Sequence, residues 1–289
     1  MDGASMKFLV LGATGMAGHV IAIYLKEQGH EVTAITRKNF PYCRNIITDV
    51  TDLNLVAETI KNGKYDAVIN CIGILNQHAE SNKHQAVFLN SYLPHYLCDL
   101  TRDSNTKIIH MSTDCVFSGK QGNYNENSLK DGETFYDRSK ALGEFENDKD
   151  LTFRNSIIGP DINKDGMGLF NWFMEQSGEI NGYTKAIWTG VTTLTLAKAM
   201  EQAAKNNLVG LYNLVNNDTI SKYELLRSFN KYFKGNSIEI NKSDNVSLNK
   251  SLLNNRRDFD FIVPSYEQMI FDMKEWISDH KELYPHYFE

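Results

Sequence analysis

Residues 7–36 read KFLVLGATGMAGHVIAIYLKEQGHEVTAIT, and the fold turns on them. Lys7-Phe-Leu-Val-Leu11 is a short unbroken apolar run, the pattern of a parallel strand buried on both faces. Gly12-Ala-Thr-Gly15-Met-Ala-Gly18 follows at once. Ala17, Val20, Ile21, Tyr24 and Leu25 then recur at helical spacing, which predicts a helix with one buried face. Gly29 is a natural stop, and Glu31-Val-Thr-Ala-Ile35 predicts a second strand. Strand, glycine turn, helix and strand within about 30 residues is the context of a dinucleotide fingerprint. The glycines let the backbone approach a pyrophosphate, whose charge is met by the helix N-terminus.

An acidic residue after the second strand would bind an adenosine ribose. This chain has Thr36-Arg37-Lys38 instead. Arg37 can pair with a 2′-phosphate, which points to NADPH, with NADH as the alternative cofactor; the plain reading is a solvated basic turn. Further strands are predicted at 46–48, 65–70 and 107–111. Helices are predicted at 53–61 and 85–102, the latter kinked at Pro94. The β-α-β order with buried strands argues for an α/β fold, a doubly wound parallel (Rossmann) sheet.

The strand at 107–111 runs into Ser112–Lys140, STDCVFSGKQGNYNENSLKDGETFYDRSK. Tyr136 and Lys140 are one helical turn apart and share a face. A phenol alone is a weak acid at neutral pH, with a reference pKa of about 10. A nearby ammonium would pull it toward the working range. The Thr113 hydroxyl could bond the same substrate oxygen, completing an acid site for reducing a carbonyl. The plain alternative is a solvated pair on a surface helix.

Farther on, residues 151–155 predict a strand continuing toward Ile157-Ile158-Gly159-Pro160. Residues 161–189 gather glycines with Phe170, Trp172, Phe173, Tyr183 and Trp188, as a small aromatic-rich unit or a lid. Helical periodicity returns at 192–205, a strand is expected at 210–215, and helices at 222–232 and 266–280. The run 241–255 is polar and rich in Asn and Ser. A dinucleotide domain is therefore expected from 6–160, completed by 190–217, with 161–189 and 218–289 as a smaller substrate lobe.

Composition bounds the function. The chain has 289 residues, 42% hydrophobic and 23% charged, ordinary for a globular protein. A net charge of −6 without a basic run argues against nucleic acid as a partner. No apolar stretch approaches the roughly 20 residues that span a bilayer. The start, MDGAS, has no leader pattern, and Met6 reads as the natural beginning. Cys43, Cys71, Cys98 and Cys115 form no C-x-x-C pair and are expected as reduced thiols in the cytoplasm. The eight histidines lack ligand spacing, so no metal is expected.

With these residues assembled, the chain resembles the extended short-chain dehydrogenase/reductases, in the dTDP-4-dehydrorhamnose reductase branch. The glycine spacing G-x-x-G-x-x-G is that superfamily's variant. STDCVFSG and Tyr136-Asp-Arg-Ser-Lys140-Ala-Leu-Gly-Glu144 are similar to the family's STDYVFDG and YGxSKxxGE. Ala79-Glu80-Ser81 ahead of Asn90 and Pro94, Phe153-Arg154-Asn-Ser156 and Gly210-Leu-Tyr-Asn-Leu214 also match.

The resemblance implies Tyr136 as proton donor, Lys140 as its electrostatic partner and ribose contact, and Thr113 as the third catalytic residue. It implies cofactor contacts at Gly12, Thr14, Gly15, Met16, Gly18, Asp49, Val50, Cys71, Ile72, Gly73 and Asn90. Substrate contacts fall at Asp114, Cys115, Ile157 and Trp188, with Phe170 a further candidate. The implied reaction is reduction of the 4-keto group of a nucleotide-linked 6-deoxyhexose, for surface polysaccharide sugars, by a cytoplasmic enzyme that could be a homodimer. Epimerisation or dehydration of a nucleotide sugar, and a non-catalytic NADP-binding regulatory role, remain open. Cys115 replaces a family tyrosine, Ile157 stands where Trp is common, and Arg256-Arg257 only roughly match a family Arg-Pro.

Overall fold

The computed structural model describes residues 4–288; of the five residues set apart at the start, 1–3 lie outside the described part. Seven parallel strands form the central sheet, in the order Gly210–Asn213, Leu151–Arg154, Lys107–Met111, Ala67–Asn70, Lys7–Leu11, Glu31–Thr36, Arg44–Ile47. The chain starts in the middle, winds to one edge, then returns to fill the other side. Both sheet faces are covered. Phe8, Val10, Ala34, Ile69, Ile109 and Phe153 point into one core, Leu9, Leu11, Ile35, Val68 and Ile108 into the other. That alternation within unbroken apolar strands is what burial on two faces requires.

The winding reverses between Lys7–Leu11 and Ala67–Asn70, which are paired neighbours. Open α/β sheets bind ligands in the crevice beyond the carboxyl ends of such strands. Gly12–Gly15 leaves one strand here and Cys71–Gly73 leaves the other. Cys71 N donates to Leu11 O at 3.1 Å.

Three elements differ from the sequence reading. The 85–102 helix is not merely kinked at Pro94. It divides into Lys83–Ala86, a π-turn at Val87–Tyr92 and Leu93–Leu100. Pro94 has no N–H for the Asn90 carbonyl, and Gly143 sits on that carbonyl so closely that a Cβ would stand 1.8 Å from it. The strand ending at Arg154 does not continue. Ile157–Ile158 leaves the sheet and pairs with Val191–Thr192. The polar run at 241–255, which carried no predicted element, begins in an 11-residue strand, Glu239–Asn249, parallel to Glu179–Trp188. With Ile220–Ser221 these form a three-stranded sheet over the carboxyl edge of the main one, and the Lys222–Phe233 helix packs on it. Exposed outer side chains explain its polar sequence; ladder hydrogen bonds hold it instead.

The Tyr266–Asp279 helix packs against Thr193–Lys205 and Lys222–Phe233, and the segment beyond it reaches the first helix. The four cysteines are all free thiols. Among the described residues no helix is long and apolar enough to cross a membrane, and no cluster of metal-ligating side chains occurs.

Candidate active site

The glycine loop has the shape its sequence implies. Gly12 has φ +85°, and a Cβ there would stand 2.9 Å from Ile72 Cγ1. A Cβ on Gly18 would stand 2.2 Å from Gly12 O, so only glycine lets the Met16–Glu27 helix start this close to the turn. Gly15 is the N-cap and provides no side-chain cap. The first-turn amides are thus free to meet an anion. Thr14, Gly15 and Met16 are partly open to solvent. This cradle fits a dinucleotide pyrophosphate.

The reacting groups lie beyond the Lys107–Met111 strand. Thr113 caps a short turn over Asp114–Val116, accepting from Cys115 N at 3.1 Å. The Phe135–Gly143 helix begins with a capping box between Thr134 and Asp137. That box places Tyr136 in the first turn and Lys140 one turn on. The Thr113 hydroxyl lies beside the Tyr136 phenol and donates to Asp114 Oδ1 at 3.2 Å. Lys140 Nζ donates to Met111 O at 2.8 Å and lies beside Gly73. One helix thereby joins the hydroxyl pair to the Cys71–Gly73 turn.

Electrostatics differ from the simple expectation for Tyr136. Burial pushes its pKa up, the nearby Cys115, Asp114 and Asp137 add to the rise, and it is the Thr113 hydroxyl, not the Lys140 ammonium expected from the sequence, that opposes it. The phenol is therefore held protonated. Lys140 is lowered to about 8, by burial first, with Glu144 and Cys71 pulling back. Burial raises Asp114, against Lys250 and Lys222. Burial and then Asp114 push Cys115 up to about 12, a neutral thiol beside the hydroxyls.

The profile of the RmlD substrate binding domain matches residues 6–250. The chain belongs to the RmlD substrate binding domain family. It is 35% identical over 143 residues to a probable low-salt glycan biosynthesis reductase, Agl14, of Haloferax volcanii, covering 48% of each chain. It is 29% identical over 150 residues to a dTDP-4-dehydrorhamnose reductase of Mycobacterium tuberculosis, 50% of this chain and 46% of that one. These alignments span about half the length of the curated relatives. A dTDP-4-dehydrorhamnose reductase from Bacillus anthracis, solved in complex with NADP, superposes with a TM-score of 0.78 at 18% identity, over 93% of this chain and 99% of that one. A hypothetical dTDP-4-dehydrorhamnose reductase from Sulfolobus tokodaii gives 0.75 at 23%, over 91% and 98%. At these identities the likeness establishes the fold.

Within this RmlD-family chain, the remaining candidates take different places. Arg37 is exposed after the Glu31–Thr36 strand and lies near exposed Asp49. Asp49 Oδ1 accepts from Thr51 N at 2.9 Å; that bond, with Arg37 as a lesser contributor, holds its pKa low. The Val50 side chain is buried in the core beside Leu11 and Ile35, so only its backbone can face a nucleotide.

Asn90 needs a change of role. It is fully buried, accepting from Ile74 N at 2.9 Å and donating to Ile74 O and Ser139 Oγ at 3.0 Å each. Its amide supports the Gly73–Ile74 turn and the Tyr136 helix rather than lying open to a ligand. Ile157 is half-buried. Trp188 is buried, donating to Ser156 Oγ at 2.8 Å, with Lys222 Nζ 5.2 Å from its ring. Phe170 is removed from the pocket: it packs fully buried among Phe229, Phe233 and Tyr287.

Sequence reading missed two features. Lys222, at the start of the Lys222–Phe233 helix, and Lys250, just after the Glu239–Asn249 strand, act electrostatically on Asp114. Burial lowers the Lys222 pKa, against Asp114 and Cys115. The Lys222 ammonium lies over the Trp188 ring, 5.2 Å from its centroid. Two lysines thus face the Asp114 carboxyl, which follows Thr113. The second feature is a buried ion pair between Glu144 and Arg154. Both residues stood in recognised motifs, but nothing in the sequence paired them.

Proposed function

We propose that this protein is an NAD(P)H-dependent reductase of the 4-keto group of a nucleotide-linked 6-deoxyhexose, working in the synthesis of surface polysaccharide sugars. The observation that carries this reading is the Thr113–Tyr136 hydroxyl pair, with Lys140 one turn away, beside a glycine loop at the sheet's switch point. The names of the relatives, a glycan biosynthesis reductase and dTDP-4-dehydrorhamnose reductases, support it, as does the NADP of the Bacillus anthracis neighbour.

A bound dihydronicotinamide would supply the hydride. The chain's own residues do the rest. Tyr136, held protonated, gives its proton to the carbonyl oxygen as negative charge develops there. The Thr113 hydroxyl donates to the same oxygen and fixes its position. Lys140, charged below about pH 8, stabilises the phenolate left on Tyr136 and reaches the cofactor ribose. Gly12, Thr14, Gly15, Met16 and Gly18 hold the pyrophosphate. Arg37 takes the 2′-phosphate, and Asp49 with the Val50 backbone flanks the adenine. Cys71, Ile72 and Gly73 line the ribose. Asp114, Cys115 and Ile157 line the hexose site. Lys222, backed by Trp188, and Lys250 hold an anionic part of the substrate. Residues 6–160 and 190–217 serve as the dinucleotide domain, and 161–189 with 218–289 as the substrate lobe, in a cytoplasmic enzyme.

The test is NADPH oxidation by purified protein with a panel of 4-keto-6-deoxy nucleotide sugars. Tyr136→Phe removes one hydroxyl, so it leaves cofactor binding intact and lowers turnover about 10²–10⁴-fold. Near wild-type turnover in that variant sinks the mechanism. A wild-type chain that binds NADPH yet reduces no 4-keto sugar favours a regulatory role. Sugar inversion without net NADPH oxidation identifies an epimerase.

A further inference from the structure

We propose that His19, held by Tyr284 from the C-terminal segment, is a positioning residue of the glycine loop: it fixes the Gly15–Met16 peptide so that its N–H faces the pyrophosphate. The proposal rests on the reading of that loop as a dinucleotide site.

His19 is fully buried in the first turns of the Met16–Glu27 helix. Its Nδ1 lies 2.9 Å from Gly15 O, and its Nε2 lies 2.8 Å from Tyr284 Oη. Trp276 Nε1 also reaches Tyr284 Oη, at 3.0 Å. An indole N–H can only donate. Tyr284 Oη therefore accepts from Trp276. A carbonyl oxygen can only accept, so Nδ1 of the neutral ring carries the proton and donates it to Gly15 O, and Nε2 accepts the Tyr284 hydroxyl proton. The partner that satisfies Nε2 comes from 265 residues away. Burial keeps the ring neutral, lowering its pKa to about 4.

Gly15 needs that support. Its carbonyl receives the His19 backbone N–H at 3.1 Å as well as the ring N–H. In a trans peptide the C=O and the next N–H point in opposite directions. Two donors that draw the Gly15 carbonyl into the helix turn the Met16 N–H outward, to where an anion binds. Gly15 has no side chain that could do this itself.

The same C-terminal segment steadies the loop's other flank. Tyr287 Oη accepts from Asp161 N at 2.9 Å and donates to Asn171 Oδ1 at 2.7 Å. Asn163 Nδ2 in turn donates to Thr14 O at 3.3 Å, and Gly168 lies against Met16 Sδ. Tyr284 and Tyr287 thus connect the chain's end to both sides of the loop.

The experiment compares full-length wild type with His19→Phe, His19→Asn and Tyr284→Phe. Calorimetry measures binding of NADPH and of 2′-AMP, which lacks the pyrophosphate. Histidine ¹⁵N NMR reads the ring tautomer without any ligand, and thermal melts check folding. His19→Phe should weaken NADPH about tenfold, the loss of one well-aligned hydrogen bond to a charged group, with 2′-AMP unchanged. His19→Asn keeps a donor near the Nδ1 position and should recover most of the affinity. Wild type should show the Nδ1–H tautomer, and Tyr284→Phe should keep it, held by the Gly15 carbonyl, while shifting the Nε2 resonance through loss of its hydrogen-bond donor. Equal weakening of both ligands, no weakening, or no rescue by asparagine overturns the proposal, as does an Nε2–H tautomer in wild type. A wild type that binds no dinucleotide overturns the underlying reading, and the tautomer result then stands by itself as a judgement on the contact.

Discussion

Arg154 and Glu144 form a two-pronged ion pair inside the protein. Arg154 Nε donates to Glu144 Oε1 at 2.9 Å and Nη2 to Oε2 at 2.7 Å, with both side chains buried. Ser112 Oγ adds a bond to Oε1 at 2.6 Å, and Lys130 Nζ lies 3.2 Å from Oε2. Glu144 caps the helix that carries Tyr136 and Lys140. Arg154 ends one strand and Ser112 follows another. One carboxylate therefore fixes the catalytic helix against the strand end that presents Thr113.

Removing one partner strands the other. Burial alone would raise the Glu144 pKa, but Arg154 and Ser112 hold it low. Glu144→Gln leaves the Arg154 guanidinium buried without its countercharge and should cost about 3–5 kcal/mol. Arg154→Met should cost a similar amount. The double variant should lose clearly less than the sum of the two. Urea unfolding of all four proteins checks this, and additive losses would show that the pair is not coupled.

Legibility in the sequence followed the way each element is stabilised. The Lys107–Met111 strand was readable to the residue because it is buried on both faces. Glu239–Asn249 was invisible because its side chains are mostly exposed and it lacks the apolar periodicity of a buried strand. The π-turn before Pro94 depends on how Gly143 meets the Asn90 carbonyl, a contact that no periodicity records. Thr113, Tyr136 and Lys140 could be named from motif spacing. Lys222 and Lys250 could not, because more than 100 residues separate them from Asp114, which they meet only in the folded chain.

Arg37 should set the cofactor preference. Its guanidinium is exposed where a 2′-phosphate would lie, and hydrogen bonds to charged groups are worth about 1.5–3 kcal/mol. NADPH should bind at least about tenfold tighter than NADH, and Arg37→Ala should abolish that difference while leaving NADH affinity unchanged. Titration of both cofactors decides it; equal affinities in wild type would remove Arg37 from the site.

Lys222 and Lys250 should act on the substrate alone. Replacing both by Met should raise KM for the nucleotide sugar at least about tenfold, on the same scale for charged hydrogen bonds. NADPH affinity should not change, and kcat should fall little. The wild-type KM should also rise with salt, because the partial exposure of Lys250 leaves its charge open to screening. A loss in kcat at unchanged KM would place the lysines in the chemistry rather than in binding.

Lys140 makes activity and stability respond oppositely to alkali. Its folded pKa is about 8, lowered mainly by burial, against an ordinary value of 10.5. On the proposed mechanism, the ammonium that supports the phenolate left on Tyr136 is present below about pH 8 and is lost above it. Turnover at saturating cofactor should therefore fall as pH rises through 8. Between 8 and 10.5 the unfolded chain binds more protons at this position than the folded one, so this group favours folding increasingly as pH rises. Lys107, also lowered to about 8, adds to the same trend, while buried thiols and phenols oppose it at higher pH. Comparison with Lys140→Met isolates the one group. The variant's stability advantage over wild type should shrink by roughly 3 kcal/mol between pH 7.5 and 10.5, from the size of the shift. Chemical denaturation across that range measures it. A difference that stays constant with pH would mean that Lys140 ionises as freely in the folded protein as in the unfolded chain.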